Sequence, residues 1–272
     1  MKTSESYTMI TGASMGLGRE MAIECARRGR NLVLLALPGR NLEQLCEELE
    51  YNFGIKASYR ECDLTNEQVL NELASDILSK FRINQLINNA GIGGTARFEE
   101  ASTEYLDKII HLNIRATTML TRLLIPELKT HPEAMIMNIA SVAAFGPLPF
   151  KTIYPASKAF IYSFSRSLGR ELRGTGIRVV VVTPGPIVTN TDVAMRIISQ
   201  GFLCRIGLLT AGKITRLALN GAARGREVIV PGLINKLNRF LMRWMPENWT
   251  LSLMSGVIQK EIDGNTKTLN QF

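Results

Sequence analysis

Short apolar runs alternate with longer segments of helical period along most of the chain. Tyr7 to Thr11 reads as a strand and Gly16 to Arg28 as a helix. Leu32 to Leu37 is a second strand, followed by a helix from Asn41 to about Tyr51. Ala57 to Arg60 makes a third and leads into a helix opening near Asn66. Gln85 to Asn88 and Met135 to Ala140 add two strands, with a helical stretch from about Thr103 to Leu128 between them. A helix from Tyr154 to Leu172 precedes the β-branched run Ile177 to Thr183, and Glu227 to Val230 is a last short strand. Strands alternating with helices imply right-handed crossovers and a parallel sheet covered on both faces. No repeat, low-complexity tract or linker divides the chain. The pattern predicts one α/β domain over residues 1–272, a doubly wound parallel sheet of about seven strands with helices on both faces.

Composition adds little to this. A hydrophobic fraction of 46% with 21% charged residues fits a soluble globular chain. Met1 to Ser6 is short and polar, unlike a signal peptide, and runs such as Val179 to Val182 fall far below the roughly 18 residues of a membrane helix. A cytoplasmic location is the expectation. Cys25, Cys46, Cys62 and Cys204 lie far apart without a CxxC pair and read as buried free thiols. With only His111 and His131 available, no metal site is expected. The net charge of +8 suits anionic small molecules, acyl carriers or a membrane surface. No aromatic-plus-basic motif marks a nucleic-acid partner.

Directly after the first strand comes Thr11-Gly12-Ala13-Ser14-Met15-Gly16-Leu17-Gly18, and then a helix. Glycines at these positions let the backbone turn tightly and approach a pyrophosphate, and the helix N-terminus offers free N–H groups. Such a strand–loop–helix unit is Rossmann-type. Further along, Tyr154 and Lys158 form a YxxxK pair, whose members share one helix face. A free phenol has a pKa near 10. A nearby cation favours the phenolate, which would make Tyr154 a usable general acid/base. Ser141 follows the strand Met135 to Ala140 at its carboxyl end, where ligands bind in doubly wound sheets, and its hydroxyl can hold a substrate oxygen.

The TGxxxGxG spacing and the YxxxK pair together resemble the short-chain dehydrogenase/reductase family. Asn88-Asn89-Ala90-Gly91 is similar to that family's NNAG element, and Pro184-Gly185-Pro186-Ile187-Val188-Thr189 to its PGxxxT segment. The match runs from about Thr8 to Thr189. The resemblance implies that Tyr154 transfers the proton, Ser141 polarises and positions the reacting oxygen, Lys158 lowers the tyrosine pKa and holds the nicotinamide ribose, and Asn113 supports a proton-relay water. It further implies cofactor contacts from Gly12, Ser14, Met15, Gly16, Leu17 and Gly18, and from Asn89, Ala90 and Gly91 on the adenosine side. Asp63 and Leu64 would meet the adenine, and Pro184, Gly185 and Thr189 the nicotinamide carboxamide. It makes the helices Thr103 to Leu128 and Tyr154 to Leu172 the elements of a homodimer or homotetramer.

A carboxylate closing the second strand normally bonds the ribose 2′-hydroxyl. Here the strand closes Leu35-Ala36-Leu37-Pro38-Gly39-Arg40, without an acid. Arg40 can reach a 2′-phosphate, so NADP(H) is expected over NAD(H). After Thr189 the motifs stop. A substrate lid is expected over about 190–212, where Met195, Ile197, Ile198, Phe202, Leu203, Ile206, Leu208 and Leu209 favour an apolar or lipid-like carbonyl/alcohol substrate. An amphipathic extension over about 231–272 carries Leu233, Leu237, Phe240, Leu241 and Trp244 on one face of a helix, with Lys236, Arg239 and Arg243 opposite. That stripe is expected to be buried against the lid or a second subunit rather than laid on a membrane. Two other readings stand beside the oxidoreductase. The spacing of the glycine loop and the short region after the sheet argue against an epimerase acting on nucleotide sugars. A non-catalytic dinucleotide-sensing protein would be expected to lack a catalytic residue, and none is missing.

Overall fold

A computed structural model of the chain describes residues 5–188, 208–244, 251 and 255. Seven parallel strands form one sheet, in the order β3-β2-β1-β4-β5-β6-β9. They are β1 (Tyr7–Thr11), β2 (Asn31–Ala36), β3 (Ala57–Glu61), β4 (Ile83–Asn88), β5 (Ala134–Ile139), β6 (Ile177–Val182) and β9 (Val228–Ile229). Two further short strands, β7 (Ile187–Val188) and β8 (Leu209–Thr210), pair with each other outside the sheet. The Rossmann-type, doubly wound sheet expected from the sequence is the fold observed.

β2, β5 and β6 read as near-continuous apolar runs because both faces are covered, whereas the edge strand β3 is only partly buried. Side chains alternate across a strand, so Leu32, Leu34 and Ala36 of β2 pack with Leu17, Met21 and Leu45 on one side. Val33 and Leu35 pack with Leu70, Ile77, Leu120 and Leu124 on the other. The first side is covered by α1 (Gly16–Arg27), α2 (Leu42–Phe53) and α7 (Ala211–Ala223). The second is covered by α3 (Glu67–Lys80), α5 (Thr117–Leu128) and α6 (Ile153–Glu171). Strand order reverses at β1, which pairs with β2 on one edge and β4 on the other. That switch opens a crevice beyond the carboxyl ends of β1 and β4, the ligand position of this architecture.

Two elements depart from the sequence reading. The stretch Thr103 to Leu128 is not one helix: α4 (Thr103–Ile110) runs into a π turn over His111–Ala116 before α5 begins. The residues next to the lid form α7, which starts at Ala211 and is N-capped by the Thr210 hydroxyl accepting from Lys213 N; the rest of the expected lid, 190–207, lies outside the described residues.

The C-terminal helix, α8 (Leu233–Trp244), forms as expected, and in the single chain its apolar stripe faces outward; most of the lid expected to cover it lies outside the described residues, and a second subunit would meet it from that side. Leu233, Leu237, Phe240 and Trp244 are exposed at 81%, 55%, 59% and 73%. Asn235 and Arg239 turn inward, while Lys236 stays exposed. Arg239 lies 5.0 Å from the Phe145 ring centroid and 5.8 Å from that of Tyr162, and its Nη2 donates to the Tyr162 hydroxyl at 3.2 Å. A guanidinium between two rings satisfies charge and packing together, and the apolar stripe is left outward.

Candidate active site

The glycine loop joins β1 to α1 at the crevice. Gly16 has φ of +55°, which a side chain would strain. Gly18 is excluded from substitution by space: a Cβ there would lie 2.0 Å from Gly12 O and 2.5 Å from Asn89 Nδ2. The N-cap position of α1 is Met15, which makes no side-chain capping bond. The first amides of α1 therefore have no side-chain acceptor from the cap residue, the arrangement that receives phosphate oxygens. Ser14, Leu17 and Gly12 complete the loop, and the residues present fit a dinucleotide pyrophosphate.

The segment after β4 is clamped to this loop. Thr11 Oγ1 accepts from Asn89 N at 3.0 Å and from Ala90 N at 2.9 Å. Asn89 Nδ2 donates to Thr11 O and Gly12 O at 3.0 and 3.1 Å. Gly91 runs between the catalytic candidates: a Cβ on it would meet Asn113 Oδ1 at 3.1 Å and Lys158 Nζ at 3.2 Å. Behind it, Asn88 Nδ2 donates to Thr121 Oγ1 and Asn138 Oδ1, and Asn138 Nδ2 to Ser165 Oγ. This buried chain links α5, β4, β5 and α6, so the helix bearing Tyr154 is registered to the sheet by hydrogen bonds as well as by packing.

The four expected catalytic residues come from three elements. Ser141 opens a 3₁₀ turn (Val142–Phe145) just past β5, where its hydroxyl accepts from Ala143 N at 3.1 Å. Val142 N donates to Pro184 O at 2.9 Å, fastening that turn to the segment containing Gly185. Tyr154 lies in the first turn of α6 and hydrogen-bonds Ser141. Lys158, one turn on, is 6% exposed and its Nζ donates to Ile139 O at 3.0 Å. Asn113 sits in the π turn, buried, with Oδ1 accepting from Ile92 N at 2.9 Å and Nδ2 donating to Ile92 O at 2.9 Å and Ser157 Oγ at 3.0 Å. Single-turn π segments of this kind are frequent at functional sites.

Burial dominates the electrostatics of the Tyr154 and Lys158 pair. Burial pushes the Tyr154 phenol above its ordinary value, and the hydrogen bond with Ser141 pulls part of the way back. The Lys158 side chain is directed at the backbone of β5. Its Nζ lies 5.8 Å from the Tyr154 ring centroid and is taken up by the Ile139 carbonyl. Burial also brings Lys158 itself down to about 8. At neutral pH the phenol therefore carries its proton, the form that donates to a carbonyl oxygen.

Other expected contacts are placed less tightly. Asp63 turns its carboxylate into its own loop, where Oδ1 accepts from Thr65 N at 2.9 Å and Thr65 Oγ1 at 2.8 Å, and Leu64 is buried. Pro184 and Gly185 are buried beside the β5 turn, while Thr189 lies outside the described residues. Arg40 is exposed beyond β2. The sequence reading misses Glu61, whose Oε1 accepts from Gly39 N at 3.0 Å beside Arg40. It also misses Gly93, where a Cβ would lie 2.6 Å from the Tyr154 ring. Ser157, which bridges Asn113 and the Tyr154 carbonyl, is a third. Gly93 and Ser157 are adjacent to read motifs, but only the fold shows what they touch. Cys25, Cys46 and Cys62 are buried free thiols, raised by burial to about 12, 12 and 11.

Comparison with known proteins agrees with this geometry. The family model described as short chain dehydrogenase matches residues 6–199. The 17-beta-hydroxysteroid dehydrogenase type 3 of Mus musculus is 33% identical over 192 residues, 70% of this chain and 62% of that protein. The match thus spans about three-fifths of that relative's length. A short-chain dehydrogenase from Sphingobium yanoikuyae, solved in complex with NADPH, superposes with a TM-score of 0.75 at 30% identity, covering 89% of this chain and 97% of that one. A short chain dehydrogenase/reductase from Burkholderia phymatum, solved with NAD, shares the fold at a TM-score of 0.77 and 24% identity, over 89% of this chain and 94% of that one. Fold and glycine loop define a class of α/β proteins that bind nicotinamide dinucleotides. The chain belongs to the short-chain dehydrogenase family of oxidoreductases.

Proposed function

We propose that the protein is an NADP(H)-dependent oxidoreductase that interconverts a carbonyl and an alcohol on an apolar substrate, with Tyr154 as general acid/base. The observation that carries the proposal is the convergence of Ser141, Tyr154 and Lys158 at the carboxyl end of β5, beside the uncapped end of α1. A nicotinamide held there would supply hydride to the carbonyl carbon in reduction and would accept it from the alcohol carbon in oxidation. The chain's own residues do the rest. Ser141 holds the substrate oxygen, Tyr154 Oη gives or takes its proton, and Lys158, with Asn113 fixing the neighbouring backbone at Ile92, supports the proton path.

Gly12, Ser14, Met15, Gly16, Leu17 and Gly18 would hold the pyrophosphate, Asn89, Ala90 and Gly91 the adenosine side, and Asp63 and Leu64 the adenine. Pro184, Gly185, Thr189, Tyr154 and Lys158 would hold the nicotinamide half. Arg40 would take the 2′-phosphate. Glu61, drawn against Gly39 N, opposes a second negative charge there and sharpens the dependence on Arg40.

Phe98, Leu106, Ile109 and Phe150 line a small cleft that reaches Tyr154, which suits an apolar substrate; the name of the Mus musculus relative specifies a hydroxysteroid. Ile110, Met119 and Phe160 stand exposed on α4, α5 and α6, in keeping with subunit contacts through those helices. Among the described residues no helix is long and apolar enough to cross a membrane.

Following nicotinamide absorbance with a panel of bulky apolar ketones tests the reading. Turnover is expected, with NADPH bound more tightly than NADH. Arg40→Ala is expected to weaken NADPH binding by about 1.5–3 kcal/mol, the usual worth of a charge-assisted contact, and to leave NADH binding unchanged. Equal dissociation constants for the two cofactors in the unmodified protein would remove the NADP(H) assignment. Tight dinucleotide binding without turnover of any carbonyl would replace the enzyme by a sensing module.

A further inference from the structure

The outward stripe of α8 needs an occupant. Leu233, Ile234, Leu237, Phe240, Leu241 and Trp244 form one continuous exposed face, and Phe240 and Trp244 are neighbours with ring centroids 6.2 Å apart. A patch of this kind on a protein surface marks an interaction site. The helix is not displaced from the body. Asn235 is 1% exposed, with its side chain filling the space beside Gly185, and Arg239 is held between Phe145 and Tyr162. The apolar face is therefore presented by a helix whose other face is anchored.

Charge selects the occupant. Residues 208–244 contain seven Lys or Arg and a single acid, Glu227, whose carboxylate is already paired with Arg166 at 2.6 Å. Between α7 and α8 lies an open groove of about 580 Å³. Its wall includes exposed Leu217 and Leu233, and its rim includes exposed Lys213, Arg226 and Lys236. A second copy docking through the same face would bring this basic set against itself, because a two-fold interface repeats one patch on both subunits. An anionic lipid surface meets both halves of the pattern: acyl chains receive the stripe, and headgroups receive the basic rim.

From these two features we infer that α8 and the α7–α8 groove dock the protein on an anionic phospholipid surface. The inner face of α8 touches Gly185 and the turn that follows Ser141, so docking sets the catalytic cleft beside the lipid. The surface itself stands whether or not the proposed reaction does.

The test uses the full chain carrying Trp249→Phe, which leaves Trp244 as its single tryptophan. Free in buffer, Trp244 is expected to emit as a water-exposed indole. Vesicles containing phosphatidylglycerol are expected to shift that emission to the blue and sediment the protein, with affinity falling as salt rises. Phosphatidylcholine vesicles are expected to bind at least about tenfold more weakly. Leu237→Glu with Phe240→Glu is expected to reduce vesicle affinity by tenfold or more, and both sites are exposed, so the melting temperature should hold. A blue-shifted Trp244 in the vesicle-free protein would show that the stripe is already covered, by this chain or by a second copy, and would overturn the inference. So would an unchanged emission with phosphatidylglycerol vesicles, or binding that ignores both salt and lipid charge.

Discussion

Tyr154→Phe is expected to lower turnover by about 10²–10⁴-fold, the usual contribution of a positioned general acid/base, while dinucleotide affinity stays within a few-fold. The substitution removes one oxygen. The ring that packs on Gly93 remains, and so does the first turn of α6, because Ser157 Oγ donates to the Tyr154 carbonyl at 2.7 Å rather than to its phenol. The loss should therefore appear in kcat and in the single-turnover rate alike, with little change in melting temperature. A variant that keeps a tenth or more of the rate would take the proton-transfer role away from Tyr154. If dinucleotide binding collapsed as well, the phenol would be holding the cofactor and not only moving the proton.

Much of this site can be read from the residues because its parts depend on local chemistry. A glycine loop between a buried strand and a helix has few alternative conformations. Strands covered on both faces leave long apolar runs, so β1, β5 and β6 fall close to their expected bounds. What the residues hide depends on distant packing. Helix α7 has its buried positions at Ala211, Ile214, Thr215, Ala218, Leu219 and Ala222, a helical spacing that small side chains keep from standing out as an apolar stripe. They are small because α7 lies against α1, and Gly221 leaves room for Ile229, which a Cβ would meet at 2.8 Å. The π turn at Asn113 follows no composition rule; what marks it is the Ile92 backbone that Asn113 grips. The stripe on α8 is plain in the sequence, yet its direction is set by two rings, Phe145 and Tyr162, far away in the chain. Likewise the YxxxK spacing puts Tyr154 and Lys158 on one face, but the Ile139 carbonyl decides where the ammonium points.

That ammonium carries the second large effect. Lys158→Met is expected to abolish most turnover and, at pH 7, to make the cofactor-free protein more stable. Lys158 is 6% exposed, and burial lowers it from 10.5 to about 8. A depression of that size corresponds to about 3 kcal/mol spent keeping the charge inside the fold at neutral pH. Methionine matches the volume and removes the charge. It also leaves the Ile139 carbonyl without its donor, a loss of about 1–2 kcal/mol, so a net gain of about 1–2 kcal/mol is expected. The pH dependence separates this account from simple repacking. Between about pH 8 and 10.5 the unfolded chain still holds the lysine proton that the folded chain has released, so the stability of the unmodified protein gains from rising pH across that window. The variant has no such group, and its advantage should shrink from pH 7 to pH 10. Urea unfolding of both proteins at those two values measures it. An advantage that stays constant with pH, or a variant less stable at pH 7, would show that Lys158 is held at no electrostatic cost and that its low pKa is not a property of this site.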